Sequence, residues 1–267
     1  MKLKITNDVE VKKSRLLIKG KAFPNYQILD KIGKGANGVI LLARNEILGR
    51  DEAIKVWLPK DGDNRNKNEQ ASYELKKLAK AYGEYTIQLY SAINFENYTI
   101  ATMEYFPGQN LDKFTQHKSI RQVFISLYMY LDAIEKTSLP ETFHGDAHPR
   151  NVLLKVTEEN YEKKLVLKLC DFGTSYFAGK EYSFDRHWRI VGQTIFDLTK
   201  TYKYYNEAKL LMPDYDNILK EINNSSRNSI INEDHSSFYD ARTFTAPFRD
   251  YLEYIYFKNT GKNIRFE

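Results

Sequence analysis

An α+β chain in two lobes, a small antiparallel sheet carrying one helix followed by a mainly α-helical part, is the architecture this sequence predicts. Three observations lead there: apolar alternation broken by glycines between Tyr26 and Trp57, helical spacing of apolar residues over 69–82, and a change to helical patterns after Pro107 and Gly108. At 267 residues the chain can bury a sizeable core without metal or disulfide staples, and its 42% apolar, 14% aromatic and 28% charged residues exclude a mostly disordered protein.

Taken in order, residues 1–20 carry Lys2, Lys4, Lys12, Lys13, Arg15 and Lys19 against Asp8 and Glu10, which reads as a solvated N-terminal arm. From Tyr26 the run YQILDKIGKGANGVILLAR reads as two strands around a glycine loop, ILGRD as a turn and EAIKVW as a third strand. The tract PKDGDNRNKN at 59–68 reads as a loop. In EQASYELKKLAKAY, Leu75, Leu78, Ala79 and Tyr82 recur at offsets of 3, 4 and 7, one face of a helix free of Gly and Pro. TIQLYSAINF and YTIATMEYF complete the sheet, PGQN at 107–110 reads as a hinge, and RQVFISLYMYLDAIEKT at 121–137 is the clearest helix of the second lobe. The expected division is an extension 1–21, a sheet lobe 22–106 and a helical lobe 107–267, the last two forming one domain with the extension.

No window approaches eighteen uncharged apolar residues and the N-terminus lacks the apolar core of a secretory signal, so no membrane span and a cytoplasmic location are expected. A net charge of +5 is weak evidence for a polyanionic ligand, and no nucleic-acid partner is expected. The single cysteine, Cys170, has no partner for an internal disulfide and reads as a small buried hydrophobe.

The chemistry-bearing residues come in a fixed order. Gly33, Gly35 and Gly38 match G-x-G-x-x-G, whose missing Cβ atoms let backbone N–H groups approach phosphate. The loop runs into a strand, VILLAR, where a dinucleotide fingerprint would open a helix. Lys55 lies in the apolar strand AIKVW; one reading is a polar strand face meeting water, the other a phosphate-binding lysine held by a helix carboxylate, Glu74 or alternatively Glu69. The strand ATMEYF brings Met103, Glu104 and Phe106 to the connection between lobes. His144-Gly145-Asp146-Ala147-His148-Pro149-Arg150-Asn151 follows, and after a charged hairpin come Asp171, Phe172 and Gly173.

These five signals, spread over about residues 26–200, resemble the protein-kinase-like phosphotransferase superfamily, with features of bacterial-type serine/threonine protein kinases. The resemblance implies a bilobal fold with Mg-ATP between the lobes. It implies that Lys55 contacts phosphate, that the backbone from Glu104 to Phe106 meets the adenine edge with Met103 behind it, and that Ile32, Ile40, Ala53 and Leu153 wall the base. Asn151 and Asp171 become the oxygen ligands of Mg²⁺, and Asp146 the acceptor of the substrate hydroxyl's proton. His148 is assigned to the transferred phosphate, and His144 and Phe172 to packing.

Two features depart from the conventional protein-kinase pattern. Gly145 stands where phosphorylation-regulated kinases carry an arginine, and no Ala-Pro-Glu follows Gly173. HGDxHxxN is the form shared with aminoglycoside, choline and RIO-like kinases. The readings, in order, are a kinase acting on protein serine or threonine (itself included), a small-molecule kinase, and a pseudokinase that binds nucleotide without turnover; intact Lys55, Asp146, Asn151 and Asp171 argue against the last.

Overall fold

A computed structural model describes residues 2–35, 37–59, 67–81, 83–116, 118, 120–137, 143–159, 162–172, 187, 190–195, 197–198, 246, 249–250, 252–254, 257 and 261. The chain divides into two compact units, residues 1–82 with 87–106, and residues 83–86 with 107–267.

The first unit opens with a small sheet where a solvated arm is expected. Strands β1 (Lys2–Lys4), β2 (Val9–Lys12), β3 (Arg15–Ile18) and β4 (Lys21–Ala22) form an antiparallel meander in chain order. The solvated arm expected here is therefore a folded sheet. Lys2, Lys4, Lys12 and Arg15 sit on its strands and Lys13 and Lys19 in its turns, while the alternate residues Val9 and Val11 of β2 and Leu16 and Ile18 of β3 are fully buried. Those four join Ile28, Val39, Leu41, Ile54, Val56 and Ile100 in one core cluster, so burial of the apolar face outweighs the mutual repulsion of exposed lysines.

The main sheet has five strands in the order β5-β6-β7-β9-β8: β5 (Tyr26–Gly35), β6 (Gly38–Asn45), β7 (Arg50–Trp57), β8 (Leu89–Phe95) and β9 (Tyr98–Glu104). All neighbours run antiparallel. The β6–β7 turn is closed by the Asn45 side chain, whose Oδ1 accepts from the Ile47 and Leu48 amides at 3.1 and 3.0 Å. Helix α1 (Lys67–Lys80) packs on the face opposite the meander, where Trp57, Ala71, Leu75 and Ala101 form a second cluster. Ala79, placed on the buried face by spacing, is exposed; the buried stripe is Gln70, Ala71, Glu74, Leu75, Lys77, Leu78 and Ala81. The stripe turns toward the Glu74 side because a polar pairing, described below, fixes the helix's rotation. Tyr82 lies outside the described residues.

In the second unit, α2 (Leu111–Thr115) and α3 (Ile120–Thr137) precede a 3-10 turn at Pro149–Asn151 and the hairpin β11 (Val152–Glu159) and β12 (Glu162–Leu169). A two-residue strand β10 (Gln109–Asn110) pairs with β11. The tract read as a hinge is thus pinned at its end to Leu153 and Leu154. Val123, Phe124, Leu127, Tyr130, Leu131 and Ile134 bury one stripe of α3. Among the described residues, no helix is long and apolar enough to cross a membrane.

Candidate active site

In the first unit the site is built on the register of the central strands. Directly opposed residues share a face, and the register places Ile40 against Lys55, Lys55 against Ala101 and Ala53 against Met103. Gly33 lies against Ile40. Ile40, Ala53, Lys55, Met103 and Gly33 therefore occupy one side of the sheet. Ile32 stands at an irregularity in β5, between Lys31 and Gly33, and is 44% exposed.

β7 is buried on both faces from Ala53 to Trp57. Lys55 is consequently only 5% exposed, which overturns the reading of a strand face open to water. Its Nζ pairs with Glu74 Oε1. The other carboxylate oxygen of Glu74 accepts from the Trp57 indole N–H at 3.1 Å, and Lys55 Nζ lies 4.7 Å from the Trp57 ring centre. Glu69, the alternative partner in sequence, is exposed in the first turn of α1. Residues 55 and 57 share a strand face, a period-two signal through which Trp57 was legible beside Lys55.

The three glycines differ in what the fold asks of them. A Cβ on Gly38 would lie 2.1 Å from the Val56 carbonyl oxygen, so close strand approach requires glycine there. A Cβ on Gly35 would meet nothing within 4 Å, and one on Gly33 only the Ile40 side chain at 3.4 Å. At the end of β9, the Glu104 amide donates to Gln88 O at 2.8 Å and its carboxylate accepts from the Gln88 amide at 3.2 Å. Met103 is half-buried and Phe106 buried.

The second unit holds the other residues. Asp146 and Asn151 are 4% and 9% exposed. Asn151 Nδ2 donates to the Asp146 carbonyl at 2.9 Å, and the Asn151 carbonyl accepts from the Cys170 amide at 2.9 Å. Between them, the His148 amide donates to Asp146 O and the Asn151 amide to His148 O, each at 2.8 Å. His148 caps the turn through Nδ1, which accepts from the Arg150 amide at 3.1 Å, while its Nε2 stands 3.7 Å from Asp146 Oδ2. The imidazole thus faces the Asp146 carboxylate, a contact that sequence spacing left unseen. The Asn110 side chain donates to Arg150 O at 2.5 Å.

His144 does more than pack. Its ring lies 4.3 Å from that of Phe172, its Nε2 meets Cys170 O at 2.8 Å, and its Nδ1 accepts from the Asp146 amide at 3.2 Å. Tyr130, absent from the sequence-based set, donates to the Ala147 carbonyl at 2.6 Å. Burial holds the Tyr130 hydroxyl's pKa well above its ordinary value, so it remains a donor. Cys170 is half-buried and its thiol donates to Asn151 O at 3.4 Å, a polar use in place of the apolar one expected. Leu153 is half-buried on β11. Gly173 lies outside the described residues.

Asp171 has φ 64°, a left-handed conformation costing a non-glycine residue about 1–2 kcal/mol. Asn151 and Asp171 suit a hard cation in donor chemistry. The Asn151 Nδ2 is committed to Asp146 O, which leaves the amide oxygen as the end presented elsewhere. A magnesium site commonly takes one or two protein oxygens and completes itself with phosphate and water. No cluster of three or more His, Cys, Asp or Glu side chains that could hold a metal occurs among the described residues.

The protein kinase domain matches residues 26–206 of this chain. The kinase domain of Mycobacterium tuberculosis PknI, solved as a double mutant, superposes with a TM-score of 0.56 over 88% of this chain and 99% of that one at 15% identity, a likeness of fold. Sucrose non-fermenting protein kinase 1 of Fusarium virguliforme is 27% identical over 152 residues, 56% of this chain and 21% of that protein. Serine/threonine-protein kinase CBK1 of Yarrowia lipolytica is 27% identical over 176 residues, 63% of this chain and 28% of its own length. The match thus spans between a fifth and three tenths of these two curated relatives. The chain belongs to the protein kinase domain family, and its α+β architecture is that family's fold.

Proposed function

We propose that this chain is an ATP-dependent protein kinase that transfers the γ-phosphoryl group of Mg-ATP to a serine or threonine hydroxyl, its own included. The observation that carries the reading is the buried Lys55–Glu74 pair steadied by Trp57. Burying two charges is a poor route to stability, because desolvation offsets most of their attraction. A fixed ammonium on the face shared by Gly33, Ile40, Ala53 and Met103 has a use in binding α and β phosphates. Gly35, where the fold itself does not require glycine, leaves backbone open to a phosphate oxygen.

In this reading the acceptor oxygen attacks Pγ, the bond from Pγ to the β-phosphate bridging oxygen breaks, and Asp146 takes the hydroxyl proton. Lys55 holds the nucleotide phosphates, the Glu104–Phe106 backbone holds the base, and Ile32, Ile40, Ala53 and Leu153 shield it. Asn151 and Asp171 would hold Mg²⁺, which neutralises phosphate charge when bound. His148, facing Asp146, is assigned to the transferred phosphate. Serine/threonine specificity is supported by the name of the CBK1 relative. A small-molecule hydroxyl acceptor is the second reading, favoured by Gly145, whose φ of 78° suits glycine and which carries no side chain to read a regulatory phosphate.

The test is incubation of the purified protein with Mg²⁺ and γ-labelled ATP, alone and with a generic protein substrate, beside Asp146→Ala. The expected result is label on protein with the wild type and a loss of at least about 100-fold in the variant, with Mg-ATP affinity within about tenfold. Nucleotide binding with transfer only to a small alcohol would establish the second reading. Binding without any transfer would make the chain a pseudokinase, and equal labelling by the variant would remove Asp146 from the mechanism.

A further inference from the structure

On the face of the main sheet opposite Lys55 lies a buried carboxylate that no part of the kinase assignment above uses. Glu52 is 1% exposed, and the strand register sets it directly across from Glu104, a placement of like charges that costs stability. Both of its oxygens are engaged. Oε2 accepts from the Tyr26 hydroxyl at 2.8 Å, and Oε1 accepts from Asn45 Nδ2 at 3.1 Å and from Arg50 Nε at 2.7 Å. Asn45 Nδ2 also donates to the Tyr26 hydroxyl oxygen at 3.0 Å. Held in this way on Glu52, the Arg50 guanidinium lies over the ring of Tyr90, 3.8 Å from its centre.

Arg50 and Glu52 belong to β7 and Tyr90 to β8, and β9 runs between those two strands. The stacked pair therefore crosses β9 at its last residues. The paired register of β7 and β9 runs out there, at Glu52 and Glu104. The register of β8 and β9 also slips there, because Tyr90 is the extra residue between the Leu89–Met103 and Ser91–Thr102 pairs. A bulge of this kind weakens the ladder and re-aims a side chain, here onto Arg50. Beyond Glu104 the chain continues through Tyr105 to Phe106, the backbone assigned to the adenine edge. Side chains thus tie β7 to β8 where the ladders on either side of β9 give out.

We infer that Arg50 and Tyr90 are positioning residues for the nucleotide base: anchored on Glu52, the stacked pair braces the end of β9 from the face opposite the nucleotide and fixes where the Glu104–Phe106 backbone meets adenine. The inference rests on the kinase reading for adenine as the ligand of that backbone, while its effect on binding can be measured without turnover. Arg50→Ala removes the cation, Tyr90→Ala removes the ring, and Tyr90→Phe keeps the ring.

The experiment measures the Kd of Mg-ATP by calorimetry, and the affinity of magnesium tripolyphosphate, a probe without a base, by displacement of bound ATP. Both are taken for the wild type, the three variants and the Arg50→Ala/Tyr90→Ala double variant. Loss of one cation–π contact predicts ATP binding weaker by about three- to tenfold in each alanine variant. Tripolyphosphate affinity should stay within about twofold, as should ATP affinity in Tyr90→Phe, because the phosphate subsite and the ring are untouched. The double variant should bind ATP within about twofold of the weaker single one, since the two residues act as one unit. Should Arg50→Ala fail to fold for want of a partner to Glu52, Tyr90→Ala against Tyr90→Phe supplies the contrast at a half-buried position. Parallel losses for ATP and tripolyphosphate would show a general loosening of the first unit and overturn the inference. Unchanged ATP affinity, equal losses in Tyr90→Ala and Tyr90→Phe, or losses that multiply in the double variant would overturn it too. A wild type that binds ATP but transfers phosphate to nothing would defeat the kinase reading alone, and one that binds no ATP would defeat both.

Discussion

Lys55 in the first unit and Asp146 in the second are both buried charged residues, and the fold holds them by opposite means. Lys55 is fixed by side chains from two elements, Glu74 on α1 and Trp57 on its own strand. Asp146 is fixed through its main chain: its amide, its carbonyl and the amide before it are each bonded to a side chain, from His144, Asn151 and His187. The first arrangement depends on packing α1 against the sheet and fails if the helix shifts. The second tolerates such movement but depends on a left-handed glycine and on three polar residues keeping their places.

The largest expected effect breaks the first arrangement. Glu74→Ala takes the carboxylate from a buried ammonium and should cost on the order of 3 kcal/mol in urea denaturation. Lys55→Met should also destabilise, and the double variant should lose clearly less than the two singles added together. Additive losses would show that the pair is not the unit holding Lys55, and would remove the contrast with Asp146.

Gly38→Ala comes next, because its Cβ would sit 2.1 Å from the Val56 carbonyl oxygen and the β6–β7 pairing must shift. A loss on the order of 3 kcal/mol is expected, against a change within about 0.5 kcal/mol for Gly35→Ala. Gly35→Ala should instead weaken nucleotide binding in calorimetric titration. Equal stability losses would mean that both glycines serve the hairpin alone.

Asn151→Ala probes the second arrangement. Loss of its bond to Asp146 O should cost about 1–2 kcal/mol. The Mg²⁺ concentration needed for half-maximal ATP binding should rise, and an unchanged requirement would contradict the ligand assignment.

How much of this was legible in sequence follows from where the information lies. The five main strands and α3 carry period-two and period-3.6 patterns long enough to read. The N-terminal meander carries the same alternation, VEVK and RLLI, in strands of four residues each, joined by Lys13-Ser14 and Lys19-Gly20. Both residues of each turn have positive φ, a geometry usually announced by Asn-Gly or Asp-Gly. Basic composition therefore outweighed the pattern. In the candidate site, residues belonging to contiguous motifs, such as Asp146 and Asn151, were visible from their spacing. Tyr130 and His187 were not, because each acts through a contact made only when distant segments pack, and Trp57 was legible only as a neighbour of Lys55 on one strand face, its bond to Glu74 forming when α1 packs.

The smallest effect sharpens the comparison by way of a second buried lysine on α1. Lys77 lies three residues beyond Glu74, is 7% exposed and has its Nζ 5.3 Å from the Tyr73 ring centre. Burial lowers its pKa from 10.5 to about 8. Below pH 8 the ammonium is charged in folded and unfolded chains alike, and the cost of burying it is fully present. Between about 8 and 10.5 the unfolded chain holds a proton that the folded chain has released, so stability contributed by this group rises with pH across that window. Lys77→Met should therefore stabilise the protein at pH 7, by on the order of 1 kcal/mol, and the advantage should shrink toward pH 10.5. Tyrosines and lysines common to both proteins cancel in the difference. A Lys77→Met variant that is less stable at pH 7, or whose difference from wild type does not change between pH 8 and 10.5, would contradict a net cost of burying the Lys77 ammonium.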